Sequence, residues 1–310
     1  MKKFVIAILL GLSIAAVPVV YHFFGPSLGT NEWKVLRTLL YIVSGVALYC
    51  FLVGEITHNN SQVDKFWSIL PVIYVWIVAG YGHFTPRLVI MAVLVTLWGI
   101  RLTTNFALKG AYHWRFWTGK EDYRWQVLRD RSEFQPHWKW MLFNLLFICL
   151  YQNVLILLFT LPALIAYQFV DTPLGWLDYV AAGLVLFFII YEMIADIQQW
   201  NFQSKKWAMI NNGQELAEPF KRGFLTSGLW AYSRHPNYFG EQAIWFCFYL
   251  FSIAAGASIF NWSIIGALLL IVLFQGSSNF GEEISSGKYP EYKEYQRTVS
   301  KFIPLPRRRK

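Results

Sequence analysis

Charge is what this sequence has least of. Only 15% of its 310 residues are Asp, Glu, Lys or Arg, against roughly 25% in soluble domains, and that excludes an ordinary water-soluble fold for most of the chain. Cysteine is scarce as well. Cys50, Cys149 and Cys247 lie far apart, each inside an apolar run, with no Cys-x-x-Cys pair. They offer no framework for disulfides or structural zinc and read as reduced thiols that pack as small hydrophobes. The six histidines are scattered and His-Glu-x-x-His is missing, so no metal site is expected. No Gly-x-Gly-x-x-Gly follows a strand, which excludes a Rossmann domain as the holder of a nucleotide. Internal repeats are missing too, and with them the paired halves usual in transporters.

Apolar and aromatic residues are abundant, at 56% and 19%. They gather in runs long enough to cross a bilayer as helices, which takes about 20 residues. The first run follows Met1-Lys2-Lys3 and ends near Phe24. It resembles a signal peptide in outline, but no small-x-small cleavage site follows, so it reads as a retained span. Further runs cover Val35–Val53, Phe66–Phe84, Leu88–Leu108, Met141–Phe169 and Trp176–Ile197. The last stretch, Tyr238–Phe274, splits at Gly256-Ala257-Ser258 into two. The expectation is an all-α, polytopic transmembrane bundle of about eight spans, forming one membrane-embedded domain over 1–310. It has N-terminal spans over 1–108, an aromatic and charged interfacial segment over 109–140, and a C-terminal region over 141–310. Trp, Tyr and Arg in the middle segment suit the headgroup level.

The net charge of +9 could mark a nucleic-acid binder. Its distribution argues otherwise, because the cations sit in short loops between apolar runs and in the tail Arg307-Arg308-Arg309-Lys310. Excess Lys and Arg in such loops fixes the cytoplasmic side. They crowd the segments after the fourth and sixth spans and the tail, whereas the segment after the fifth carries Asp171 and Asp178 and no cation. Both termini are therefore expected in the cytoplasm, in a multi-pass protein of the inner (cytoplasmic) membrane with no nucleic-acid partner.

Ionisable residues at membrane depth cost about 2.5–3.5 kcal/mol each on insertion scales, so they face cavities or partners. In YEMIADIQQWNFQSKK, Glu192 and Asp196 are four apart, and Gln199 and Gln203 continue the same helical face. The stripe reads either as a helix reaching water or as a row of acceptors for a ligand. In GLWAYSRHPNYFGEQAIWF, Arg234 and His235 precede Asn237, Tyr238 and Glu241, and Asn237 and Glu241 stand one turn apart. Arg234 and Tyr232 also suit a membrane-entry helix.

YSRHPNYFGE resembles the signature of the steroid 5α-reductase superfamily, in its branch of bacterial membrane proteins. The resemblance extends to VDKFW, WGIRLTTNF, GKEDYRW and YPEYKEYQRTVSKFIP, and so covers most of the chain from about residue 60. Asn237 and Glu241 resemble the Asn-x-x-x-Glu/Asp by which those reductases hold NADPH. Glu192 and Asp196 resemble their Asn-x-x-x-Asp, with Glu in place of the first Asn. The resemblance implies an NADPH-dependent membrane reductase of a conjugated C=C bond in a lipid-soluble substrate, with the cofactor held between membrane helices. The pyrophosphate and 2′-phosphate require cations, and Arg101, Lys205, Lys206, Arg222, Arg234 and Arg297 are expected on the cytoplasmic side; His235 and Tyr238 complete the cofactor set. Asp64 in VDKFW and Tyr123 in KEDYRW are the candidates for polarising the substrate carbonyl; they also suit a helix cap and an interfacial anchor. Arg-His-Pro-x-Tyr-x-Gly is shared with isoprenylcysteine and phospholipid methyltransferases, and Glu282-Glu283 resembles their Glu-Glu. An S-adenosylmethionine-dependent methyltransferase is thus the alternative, and a non-enzymatic membrane protein the third reading.

Overall fold

A computed structural model describes residues 17–307. Most of the expected first span lies outside the described residues; its last turns form α1, Val17–Phe23. The other helices are α2 Thr30–Thr57, α3 Gln62–Tyr81, α4 Pro86–Leu108, α5 Tyr123–Arg129, α6 His137–Gln168, α7 Trp176–Asn211, α8 Pro236–Ala254, α9 Trp262–Lys288 and α10 Tyr292–Thr298. No strand occurs among the described residues, only a parallel bridge between Ser233 and Ser300.

Six of these helices (α2, α3, α4, α6, α7 and α9) are long and apolar enough to cross a membrane. The seventh expected span is present as α8, 19 residues long, but Asn237, Glu241 and Gln242 at its start dilute its apolar character. Local sequence sets the boundaries. Pro86 opens α4, where its missing N–H costs nothing. The side chain of Asn261 accepts from Ser263 N at the start of α9. His58 ends α2 in the left-handed region, at φ 54°. Within α6 the residues Asn144–Tyr151 wind as a π-helix. The polar residues from Gln198 onward stay helical, α7 continuing to Asn211. Its 36 residues reach about 54 Å at 1.5 Å each, well beyond a hydrocarbon core of about 30 Å, so the polar end continues the helix past the apolar layer.

The chain divides into two compact units. One comprises residues up to Gly183 with Trp245–Leu270, the other Leu184–Ile244 with residues from Ile271 onward. In the first unit a buried ion pair ties loops to helices. Arg87 donates from Nε to Asp178 Oδ1 at 2.7 Å and from Nη2 to Oδ2 at 2.9 Å, and its guanidinium also serves the carbonyls of Thr172, Pro173 and Ala254. The same unit folds the segment after α4 onto the start of α3. There Lys65, fully buried, donates to the carbonyls of Phe116 and Thr118 at 2.8 and 2.7 Å, while Glu121 accepts from Asn60 N and from Arg129. Tyr112 donates to the carbonyl of Lys65, and burial holds its hydroxyl above the ordinary tyrosine range.

Candidate cofactor site

The second unit brings the two sequence-predicted faces together. Glu192 and Asp196 occupy one face of α7. On α8, Gly240 lies against Glu192 so closely that an added Cβ would sit 2.8 Å from the Glu192 Cβ. Only a residue without a side chain permits that approach. The contact aligns Asn237, one turn earlier, with Asp196, and Asn237 Nδ2 donates to Asp196 Oδ1 at 3.2 Å. Glu192 and Glu241 are buried. The Asn237 Oδ1 and Gln199 Oε1 atoms are buried and receive no hydrogen bond from the described residues. Because buried polar atoms are normally satisfied, these two oxygens leave acceptor capacity on α7 and α8 that the described residues do not use.

Arg234 and His235 do other work than the sequence suggests. Arg234 donates to Glu282 Oε1 at 2.7 Å and Oε2 at 3.3 Å, and to the carbonyls of Gln296 and Val299. His235 Nε2 lies 2.9 Å from Glu282 Oε1, and Gln296 Nε2 donates to Glu282 Oε2 at 2.8 Å. The backbone N–H groups of Arg234 and His235 donate to Ser300 and Lys301 carbonyls. This Arg-His pair is a clasp between the loop before α8, α9 and the chain after α10, with most of its guanidinium donors spent inside the protein. Burial depresses the His235 imidazole below its ordinary value, against the opposing pull of Glu282. Tyr238 stacks on His235 at 5.3 Å between ring centres and meets Phe274 at 4.5 Å.

The remaining candidates separate. Lys205 follows Asp196 by nine residues, about two and a half helical turns, and so stands on the opposite face of α7 from the carboxylate. Its expected partnership with Asp196 around one cofactor is not supported by that geometry. Lys206, buried, donates to the Gly223 carbonyl and Tyr289 hydroxyl, and Arg222 pairs with Glu291 at 3.1 Å. Arg101, half-buried on α4, belongs to the first unit. So do Asp64, whose Oδ2 accepts from Trp125 Nε1 at 2.9 Å, and Tyr123, exposed at the start of α5. Asp64 stands in the first turn of α3, and the ammonium of its neighbour Lys65 donates to the Phe116 and Thr118 carbonyls. Asp122 caps α5 and accepts from Arg124 N. Burial pushes the Asp122 carboxyl up, but the Arg124 guanidinium outweighs it and holds it below the usual carboxylate range. Gln296 was not singled out in the sequence; it stands inside the matched motif YPEYKEYQRTVSKFIP but carries no charge to mark it.

Residues 50–299 match the family described as "Protein of unknown function (DUF1295)". The chain belongs to DUF1295. Every candidate cofactor and catalytic residue named above falls inside the DUF1295 match. The chain is also similar to "Uncharacterized protein C594.04c" of Schizosaccharomyces pombe, at 37% identity over 287 residues, covering 89% of this chain and 80% of that protein. No solved structure matches it.

Proposed function

We propose that this multi-pass membrane protein is an NADPH-dependent reductase of a conjugated C=C bond in a lipid-soluble substrate, of the steroid 5α-reductase type. The observation that carries the reading is the α7–α8 face, where Asn237 bonds Asp196 while the Asn237 and Gln199 carbonyl oxygens stay buried without a donor among the described residues. A nicotinamide carboxamide and ribose hydroxyls are the kind of group that face accepts. When bound, the cofactor supplies a hydride to the β-carbon of the conjugated system. The chain's own residues orient the nucleotide, exclude water and polarise the carbonyl as negative charge develops on it; the α-carbon then takes a proton. The resemblance keeps Asp64 and Tyr123, both in the first unit, as candidates for that role; Asp64 would fill it only as a protonated carboxyl, because a carboxylate repels the charge that develops on the carbonyl oxygen. The finer topology belongs to the same proposal: eight spans, both termini cytoplasmic, in the inner membrane.

One observation favours the methyltransferase alternative. Arg234 and His235 close on Glu282, the first residue of Glu282-Glu283, so two motifs shared with those enzymes join in one structure. The variants Asp196→Asn and Asn237→Ala test the primary reading. Each should leave the detergent-extracted protein folded, by thermal shift, yet weaken NADPH binding ten- to hundred-fold, about 1–3 kcal/mol. Parental affinity in both variants would remove the site from α7 and α8.

A further inference from the structure

The opposite face of α7 carries the reverse chemistry. A cleft of about 330 Å³ opens there, between α7 and the loop that precedes α8. Its floor is apolar: Phe202 and Phe220 lie with ring centres 5.3 Å apart. Its walls carry donors. Lys205, Asn201 and Ser227 line the cleft, and their side chains make no hydrogen bond or ion pair among the described residues. Gln198 is fixed in place, with its Oε1 accepting from Leu229 N at 3.0 Å and its amide against Gly228, where an added Cβ would meet it at 2.5–2.7 Å. That leaves its NH2 group as a further donor. No Asp or Glu lines the cleft; Glu218, next in sequence to its rim, turns to Arg222 at 3.7 Å. One free ammonium, two amides and a hydroxyl over an aromatic floor, with no carboxylate, suit an oxyanion attached to an apolar body.

Position narrows the ligand. The apolar run of α7 ends at Ile197, and the cleft residues of α7 follow it by one to eight positions, about 1.5–12 Å along the axis. Gln198, Asn201 and Phe202, within about 8 Å of that end, fall in the headgroup layer, which adds about 5–8 Å beyond the hydrocarbon core on each side; the Lys205 backbone lies a few ångströms past it, a gap that its four-carbon stem spans. We propose that this cleft binds the phosphate of a membrane phospholipid, with the glycerol and upper acyl carbons against Phe202 and Phe220. The inference is independent of the cofactor reading, because Lys205 and Asp196 stand on opposite faces of one helix.

The test is native mass spectrometry of the full detergent-extracted chain with phosphatidylglycerol, with diacylglycerol of the same acyl chains, and with inorganic phosphate. Phosphatidylglycerol should be retained over diacylglycerol. Lys205→Ala and Ser227→Ala should each reduce that retention about tenfold, as expected for one charge-assisted contact, while Lys293→Ala, an exposed lysine on α10, should change nothing. Equal retention of diacylglycerol, or equal loss in Lys293→Ala, would reduce the site to nonspecific lipid contact and overturn the proposal. Retention of inorganic phosphate alone, with the same dependence on Lys205, would overturn the assignment to a lipid. A Lys205→Ala variant that loses NADPH and keeps phospholipid would return that lysine to the cofactor.

Discussion

Glu282 shows how one residue can hold a local fold together. It sits buried between the Arg234 guanidinium, the His235 imidazole and an amide donor, Gln296. Removing it leaves a guanidinium without its counter-ion in a poorly hydrated place, and breaking such a pair costs about 3–5 kcal/mol. Glu282→Ala should therefore lower the thermal midpoint steeply, and a near-parental midpoint would contradict the clasp. His235 adds a pH signature. Its folded imidazole is held below the ordinary value of 6.5, so the unfolded state binds the proton more readily. Its stability contribution is present above that value and is lost as the pH falls. The thermal midpoint should drop from neutral pH toward about pH 5, and by less in His235→Gln; an equal drop in the variant would assign the dependence to other groups. The Arg-His motif was legible in the sequence, but its role was not. Positive charge near a predicted nucleotide site looks like a phosphate ligand until the partner 47 or 48 positions away is seen.

Among the elements, α7 was half legible. Its apolar run and its polar face from Glu192 to Gln203 could be read from spacing, whereas its end at Asn211 could not, because polar residues past a membrane span look the same in a helix and in a loop. Lys205 entered the cofactor set as a cation expected on the cytoplasmic side; the continuous helix fixes it on the face opposite Asp196. Helix contacts escape sequence reading in the same way. Gly266, in the first unit, has its Cα against α6, where an added Cβ would lie 2.3 Å from the Leu158 carbonyl carbon and the Phe159 nitrogen. Small residues permit such backbone approach between membrane helices. Gly266→Ala should destabilise by about 1–3 kcal/mol through overpacking, while Gly45→Ala on α2, with open space around it, should be neutral or stabilising by up to about 1 kcal/mol. Equal effects in thermal unfolding would contradict the close contact. The buried Arg87–Asp178 pair is likewise invisible from composition. Asp178 reads in the sequence as a charge on a loop, and its partner lies 91 positions earlier.

For the molecule as a whole, low charge and long apolar runs sufficed to read an all-helical membrane protein. Six helices long and apolar enough to cross a membrane are evident among the described residues. The proposed sidedness follows from cation placement and makes a direct prediction: reporters fused at Lys310 and at Asp171 should lie on opposite sides of the membrane, with Lys310 cytoplasmic. A periplasmic Lys310 would put the α7–α8 face on the wrong side for a cytoplasmic nucleotide. The central claim is that this face holds NADPH, and equilibrium titration of the purified, detergent-extracted protein with NADPH, NADH and S-adenosylmethionine tests it most directly. The account predicts saturable binding of NADPH, weaker binding of NADH, and none of S-adenosylmethionine. Saturable binding of S-adenosylmethionine with none of either nicotinamide nucleotide would contradict it and assign the chain to methyl transfer.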